Sequence, residues 1–88
     1  MEKKMETRVA VIAIIIEDGS SAQEVNELLH GAAKYIIGRM GIPYRDKGIS
    51  IISIAIDAPQ DVINALSGKI GRLDGITAKT VYSNVGMA

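Results

Sequence analysis

Residues 7–17 read Thr-Arg-Val-Ala-Val-Ile-Ala-Ile-Ile-Ile-Glu and stop at Asp18-Gly19. The stretch is β-branched almost throughout and is closed by a turn dipeptide, which marks a strand rather than a helix. Both of its alternating sets are apolar: Val9, Val11, Ala13 and Ile15 on one side, Ala10, Ile12, Ile14 and Ile16 on the other. A strand of this kind needs cover on both faces of its sheet.

Downstream, Ser20 and Ser21 are candidate helix N-caps, and Ser21-x-x-Glu24 matches a capping box. Val25, Leu28, Leu29, Ala32 and Ile36 recur at helical spacing, so a helix is expected from about Ser21 to Ile37, ended by Gly38 and Gly41. Ile42-Pro43-Tyr44 then reads as a short edge strand, because proline is tolerated at a sheet edge. Asp46-Lys47-Gly48 turns the chain into a second β-branched run, Ile49–Asp57. Asp57-Ala58-Pro59 opens a second helix with Pro59 at its first position, and Val62, Ile63, Leu66 and Ile70 form its buried stripe. After Asp74-Gly75 the last strand covers Ile76–Ser83.

The order is β-α-β-β-α-β, and an internal repeat supports it. Ile37-Gly38-Arg39-Met40-Gly41-Ile42 echoes Ile70-Gly71-Arg72-Leu73-Asp74-Gly75-Ile76, and Glu24-Val25-Asn26-Glu27-Leu28 echoes the stretch from Asp61 to Leu66. Two βαβ halves related in this way give an α+β, ferredoxin-like βαββαβ sandwich. It has a four-stranded antiparallel sheet with both helices on one face. Met1–Glu6 is expected to be a flexible start, and 7–88 a single domain.

Helices on one face leave the other face of the sheet uncovered. In the third strand Ile52, Ile54 and Ile56 point one way, and Ile49, Ile51, Ser53 and Ala55 the other. One set fits beneath the helices. The remainder is an apolar patch of several hundred Å², more than a soluble monomer ordinarily exposes. A homo-oligomer is therefore expected, with sheets packed face to face or joined edge to edge; a different protein covering the face is the alternative.

Composition narrows the function. The 88 residues carry ten basic and ten acidic side chains, no cysteine and three tyrosines as the only aromatics. Without cysteine there are no disulfides, thiolate nucleophiles or cysteine-ligated metals. Balanced charge without a basic run gives no footprint for direct nucleic-acid binding, and bases have few rings to stack on. The longest apolar run, Val9 to Ile16, falls short of the ~20 residues that a membrane helix needs. A cytoplasmic protein is expected, with no membrane partner, no cofactor and no metal.

Groups suited to catalysis are also missing. There is no phosphate-binding loop and no Ser/His/Asp grouping, so no catalytic residue is assigned and an enzyme is not expected. His30 stands alone and reads as a surface or interface residue, since one histidine cannot complete a metal site within a chain. Asp18-Gly19-Ser20-Ser21 sits where a helix begins, and its backbone N–H groups suit a small anion, although a tight capped turn needs the same residues. Arg39 and Arg72, at matching positions of the repeat, are expected to cap helix carbonyls, with an anionic effector as the alternative partner.

Gly38-Arg39-Met40-Gly41-Ile42-Pro43-Tyr44, Ile49-Ser50-Ile51-Ile52-Ser53-Ile54 and Leu66-Ser67-Gly68-Lys69-Ile70-Gly71 resemble a small bacterial family of proposed regulators of the iron-only hydrogenase system. The resemblance covers nearly the whole chain. It implies a ferredoxin-like fold similar to ACT domains and to the C-terminal domain of the nickel-responsive repressor, and an oligomeric regulatory or ligand-sensing role. That repressor holds nickel through several histidines and a cysteine, so with His30 alone nickel sensing is not implied. ACT domains commonly bind amino acids near the loop after the first strand, at a subunit interface. Here Asp18-Gly19-Ser20 occupies that place without the usual Pro-Gly.

The expected function is thus an ACT-like regulatory domain that binds a small effector at a subunit interface of a homo-oligomer. Asp18, Gly19, Ser20, Ser21 and Arg39 are the candidate ligand-binding residues. The alternative is a ligand-free interaction module that docks to a regulatory, transcription or hydrogenase-maturation protein.

Overall fold

The computed structural model describes residues 6–84. The flexible start expected for Met1–Glu6, apart from Glu6 itself, and the last four residues of the 7–88 domain lie outside the described residues. Six elements follow in the order read from the sequence: β1 (Arg8–Ile16), α1 (Ala22–Gly31), β2 (Ile36–Tyr44), β3 (Ile49–Ala58), α2 (Gln60–Gly71) and β4 (Ile76–Tyr82). The sheet order is β2-β3-β1-β4, antiparallel throughout. This is the ferredoxin-like split βαβ arrangement, in which each helix returns the chain past one intervening strand.

The two faces of β1 separate as its alternation requires. Ala10, Ile12, Ile14 and Ile16 are buried beneath the helices, against Ile52, Ile54, Ile56 and Ala58 of β3. Val25 and Leu29 of α1 and Ile63, Leu66 and Ile70 of α2 close the core from above. Each fully buried isoleucine contributes about 1.5–3 kcal/mol relative to an exposed one, so this layer dominates the stability. Thr80 Oγ1 donates to Ser67 Oγ at 3.0 Å and ties β4 to α2. At the far end the Arg8 guanidinium lies 4.2 Å from the Tyr82 ring centroid, and the Tyr82 hydroxyl donates to Asn64 Oδ1.

The opposite face of the sheet is open. Register places Met40 beside Ser53 and Ala13, Ile42 beside Ile51 and Ile15, and Val81 beside Val11. The face is largely apolar, with Val11 41%, Ile42 46%, Met40 53% and Val81 69% exposed, and is interrupted by Ser53 and by Thr77 and Lys79 of β4.

Three local expectations are corrected. The first helix ends at Gly31, not Ile37: one short turn of residues 33–35 follows, and Ile36 already pairs with Ile56 of β3. Ile36 and Ile37 are β-branched, and pairing with β3 outweighs the helical spacing of Ile36. Gly38 and Gly41 therefore lie inside β2 rather than ending a helix, and a bulge between Ile36 and Gly38 absorbs one residue. In consequence the repeat does not mark equivalent places, because Gly38-Arg39 is strand whereas Gly71-Arg72 ends α2. Secondly, Ser21 does not form a capping box: its side chain makes no cap bond to α1. Asp18 caps the preceding turn instead, accepting from Ser20 N. Thirdly, Pro59 precedes α2 as its N-cap, with φ −55° and ψ 145°, one position earlier than expected.

Candidate functional site

The loop after β1 is fixed by its own side chains and by the turn before β4. Asp18 Oδ1 accepts from Ser20 N at 3.0 Å, and Ser21 N donates to Asp18 O at 3.2 Å. The Ser20 backbone N–H, and then its side chain, hold the Asp18 carboxyl below the ordinary carboxylate range, against a smaller opposing effect of desolvation. Ser21 is buried and its hydroxyl donates to Asp74 O at 2.8 Å, while Glu17 N donates to Gly75 O at 2.7 Å. The Ser21 side chain and the Ser20 and Ser21 N–H groups thus already have partners within the fold.

Gly19 opens onto a groove of about 990 Å³ between α1 and the helix-facing side of β2. The groove lies where α1 faces β2, the edge strand of the sheet. Gln23, Asn26, Glu27 and His30 of α1 form one bank, and Ile36 and Arg39 of β2 the other. Arg39 Nη2 donates to Asn26 Oδ1 at 3.3 Å across the groove, so Arg39 does not cap helix carbonyls. Glu27 accepts from Gln23 Nε2 at 3.5 Å. A volume near the top of the 300–1,000 Å³ range usual for small-molecule sites accommodates a small organic ligand.

Of the five residues named from sequence, the structure brings Gly19 and Arg39 to one groove. Asp18 and Ser20 form the exposed turn beside it, and Ser21 faces inward to Asp74. The α1 bank was missed, although its signal was present: Gln23, Asn26, Glu27 and His30 recur at the helical spacing of one polar face. Among the described residues no group of three or more His, Asp and Glu side chains is placed to hold a metal. No helix among them is long and apolar enough to cross a membrane.

The topology and the helix layer define a ferredoxin-like α+β domain. The chain belongs to the TM1266-like family, described as "Iron-only hydrogenase system regulator, putative", whose model matches residues 8–80. It is similar to the uncharacterized protein TM1266 from Thermotoga maritima, with 36% identity and a TM-score of 0.84 over 88% of this chain and 98% of that one. A formyltetrahydrofolate deformylase from Pseudomonas putida KT2440 shares the fold at a TM-score of 0.63 and 13% identity, over 86% of this chain and 29% of the enzyme. No curated protein matches the sequence.

Proposed function

We propose that the chain is a regulatory domain of the iron-only hydrogenase system that acts in the cytoplasm as a homo-oligomer, binds a small effector and performs no catalysis. The groove between α1 and β2 carries this reading. It sets the Arg39 guanidinium, which has no carboxylate partner among the described residues, opposite the Asn26 amide and His30. A guanidinium fork suits a carboxylate. The groove's position supports coupling to assembly. β2 presents Ile36 and Arg39 to the groove and Met40, Ile42 and Tyr44 to the open sheet face. A second copy packed on that face and an effector in the groove would share β2 as a common wall, so each changes the other's affinity.

Gly19 and Arg39 line the proposed site, with Asp18, Ser20 and Ser21 shaping the turn that borders it. A thermal-shift screen of amino acids, other carboxylates, nucleotides and metals tests the reading. A ligand at 100 times its Kd raises stability by about 2.7 kcal/mol. The expected result is stabilisation by a carboxylate that is lost in Arg39→Gln, a variant whose own melting is nearly unchanged because the side chain is exposed. A flat screen contradicts effector binding. Stoichiometric capture of one regulatory or maturation protein together with a flat screen would support the ligand-free alternative.

A further inference from the structure

The helix layer carries a second surface, on the side of the molecule away from the open sheet face. A cleft of about 380 Å³ separates one end of α1 from one end of α2. Glu24 and Glu27 line its α1 bank, Lys69 and Arg72 its α2 bank, and Leu28 lies between. The cleft continues along the helices over Val62 and Tyr35. Opposite charges thus face one another, yet no salt bridge joins these four side chains.

Their placement along the helices is specific. Glu24 lies in the first turn of α1 and Lys69 in the last turn of α2. Because β1 and β3 are antiparallel and each is followed by its helix, α1 and α2 also run antiparallel. Glu24, Lys69 and Arg72 therefore collect at one end of the helix pair with Glu27 nearer its middle, acidic on one bank and basic on the other.

We propose that this layer docks a second copy of the chain about a two-fold axis running along the cleft. That rotation places α1 of each copy over α2 of the other and keeps the charged ends together. Each acidic bank then meets a basic bank, in a self-complementary contact. A two-fold running across the helices carries the charged ends apart, so the charge pattern selects one arrangement. Leu28 and Val62, both half-buried in the single chain, supply the apolar seam. Glu24 and Lys69 also suit the dipoles of their own helices, but that effect stays within one chain and makes no demand on a partner. The contact shares Glu27 with the groove, and it lies opposite the sheet face, so copies can use both faces and associate further as concentration rises.

Sedimentation velocity of the full chain, with two charge-reversed variants, tests this. Glu24→Lys/Glu27→Lys has two basic banks and Lys69→Glu/Arg72→Glu two acidic ones. At about 50 mM salt each variant alone should lose helix-layer association by tenfold or more, and their equimolar mixture should regain it; raising salt to about 0.5 M should weaken the wild-type contact. Reversing Glu17 and Asp46 in one chain, and Arg45 and Lys47 in another, makes the same net-charge changes away from the cleft. Mixing those two should add nothing. Circular dichroism verifies folding; should a double reversal unfold, Glu27→Gln and Lys69→Gln replace it and should each weaken association. Variants that associate like the wild type, a mixture no better than its components, or a control pair equally effective would overturn the proposal.

Discussion

Two glycines with nearly the same backbone conformation should respond very differently to a β-carbon. Gly48 has φ +65° and Gly75 φ +70°, so alanine at either pays the left-handed penalty of roughly 1–2 kcal/mol. At Gly48 nothing lies within 4 Å of the added carbon, and the cost ends there. At Gly75 the added carbon would stand 2.3 Å from Asp18 Cβ and 3.0 Å from Asp18 N. Carbon atoms pack best at about 3.5–4.0 Å, so the Asp18 turn or the Gly75 turn must move by more than about 1 Å. Both are pinned: Glu17 N bonds Gly75 O, and Ser21 Oγ bonds Asp74 O. Relieving such overpacking costs about a further 1–3 kcal/mol. Gly75→Ala should therefore be destabilised by at least ~1 kcal/mol more than Gly48→Ala, or roughly 4–8 °C in Tm for a domain of this size. Thermal unfolding of both variants by circular dichroism, at one protein concentration because assembly shifts Tm, measures the gap. Equal losses, or a larger loss for Gly48→Ala, would refute the close approach of the two turns.

Three further outcomes are expected. The depressed Asp18 carboxyl contributes stability above its ordinary value near pH ~4 and loses it as pH falls through the lowered folded value. Asp18→Asn should thus be less stable than wild type near neutrality, with the gap closing in acid; a gap that stays constant in denaturant titrations down to about pH 2 contradicts this. Ile54→Val removes one methyl from a side chain with 0% exposure and should cost about 0.5–1.5 kcal/mol in denaturant unfolding, with no loss disproving the packing of that layer. Ile42→Asp changes a residue 46% exposed on the open sheet face, so the chain should keep its circular dichroism spectrum while its oligomer dissociates on a sizing column; an unfolded chain or an intact oligomer would each count against the reading of that face.

The strands of the core were legible because their information is local. Alternation in Thr7–Glu17 and Ile49–Asp57 assigns each side chain to a face, and Asp74-Gly75 marks its turn through a glycine that needs positive φ. The junction between α1 and β2 was not legible, because Val25, Leu29 and Ala32 set a helical period that Ile36 happens to continue. Only pairing with β3, twenty residues away at Ile56, decides that Ile36 is strand. Gly19 and Arg39 were named as candidates, but the same error hid the groove that they share. Arg39 read as a helix-capping residue has no groove, whereas Arg39 on β2 faces the polar side of α1. Ser21 failed for a related reason: its partner, the Asp74 carbonyl, is 53 residues distant, and a local motif such as a capping box cannot see it.

The sheet face that two helices leave uncovered is where copies of the chain are expected to meet. The exposed parts of Val9, Val11, Ile15, Met40, Ile42, Tyr44, Ile51 and Val81 amount to an apolar area on the order of 600 Å², close to the ~800 Å² per partner of a stable interface. Light scattering on the purified full chain across a dilution series, at high salt to suppress charge pairing, measures its mass directly. A species of at least twice the 9.4 kDa chain, persisting on dilution, is predicted; a clean 9.4 kDa species would contradict the account.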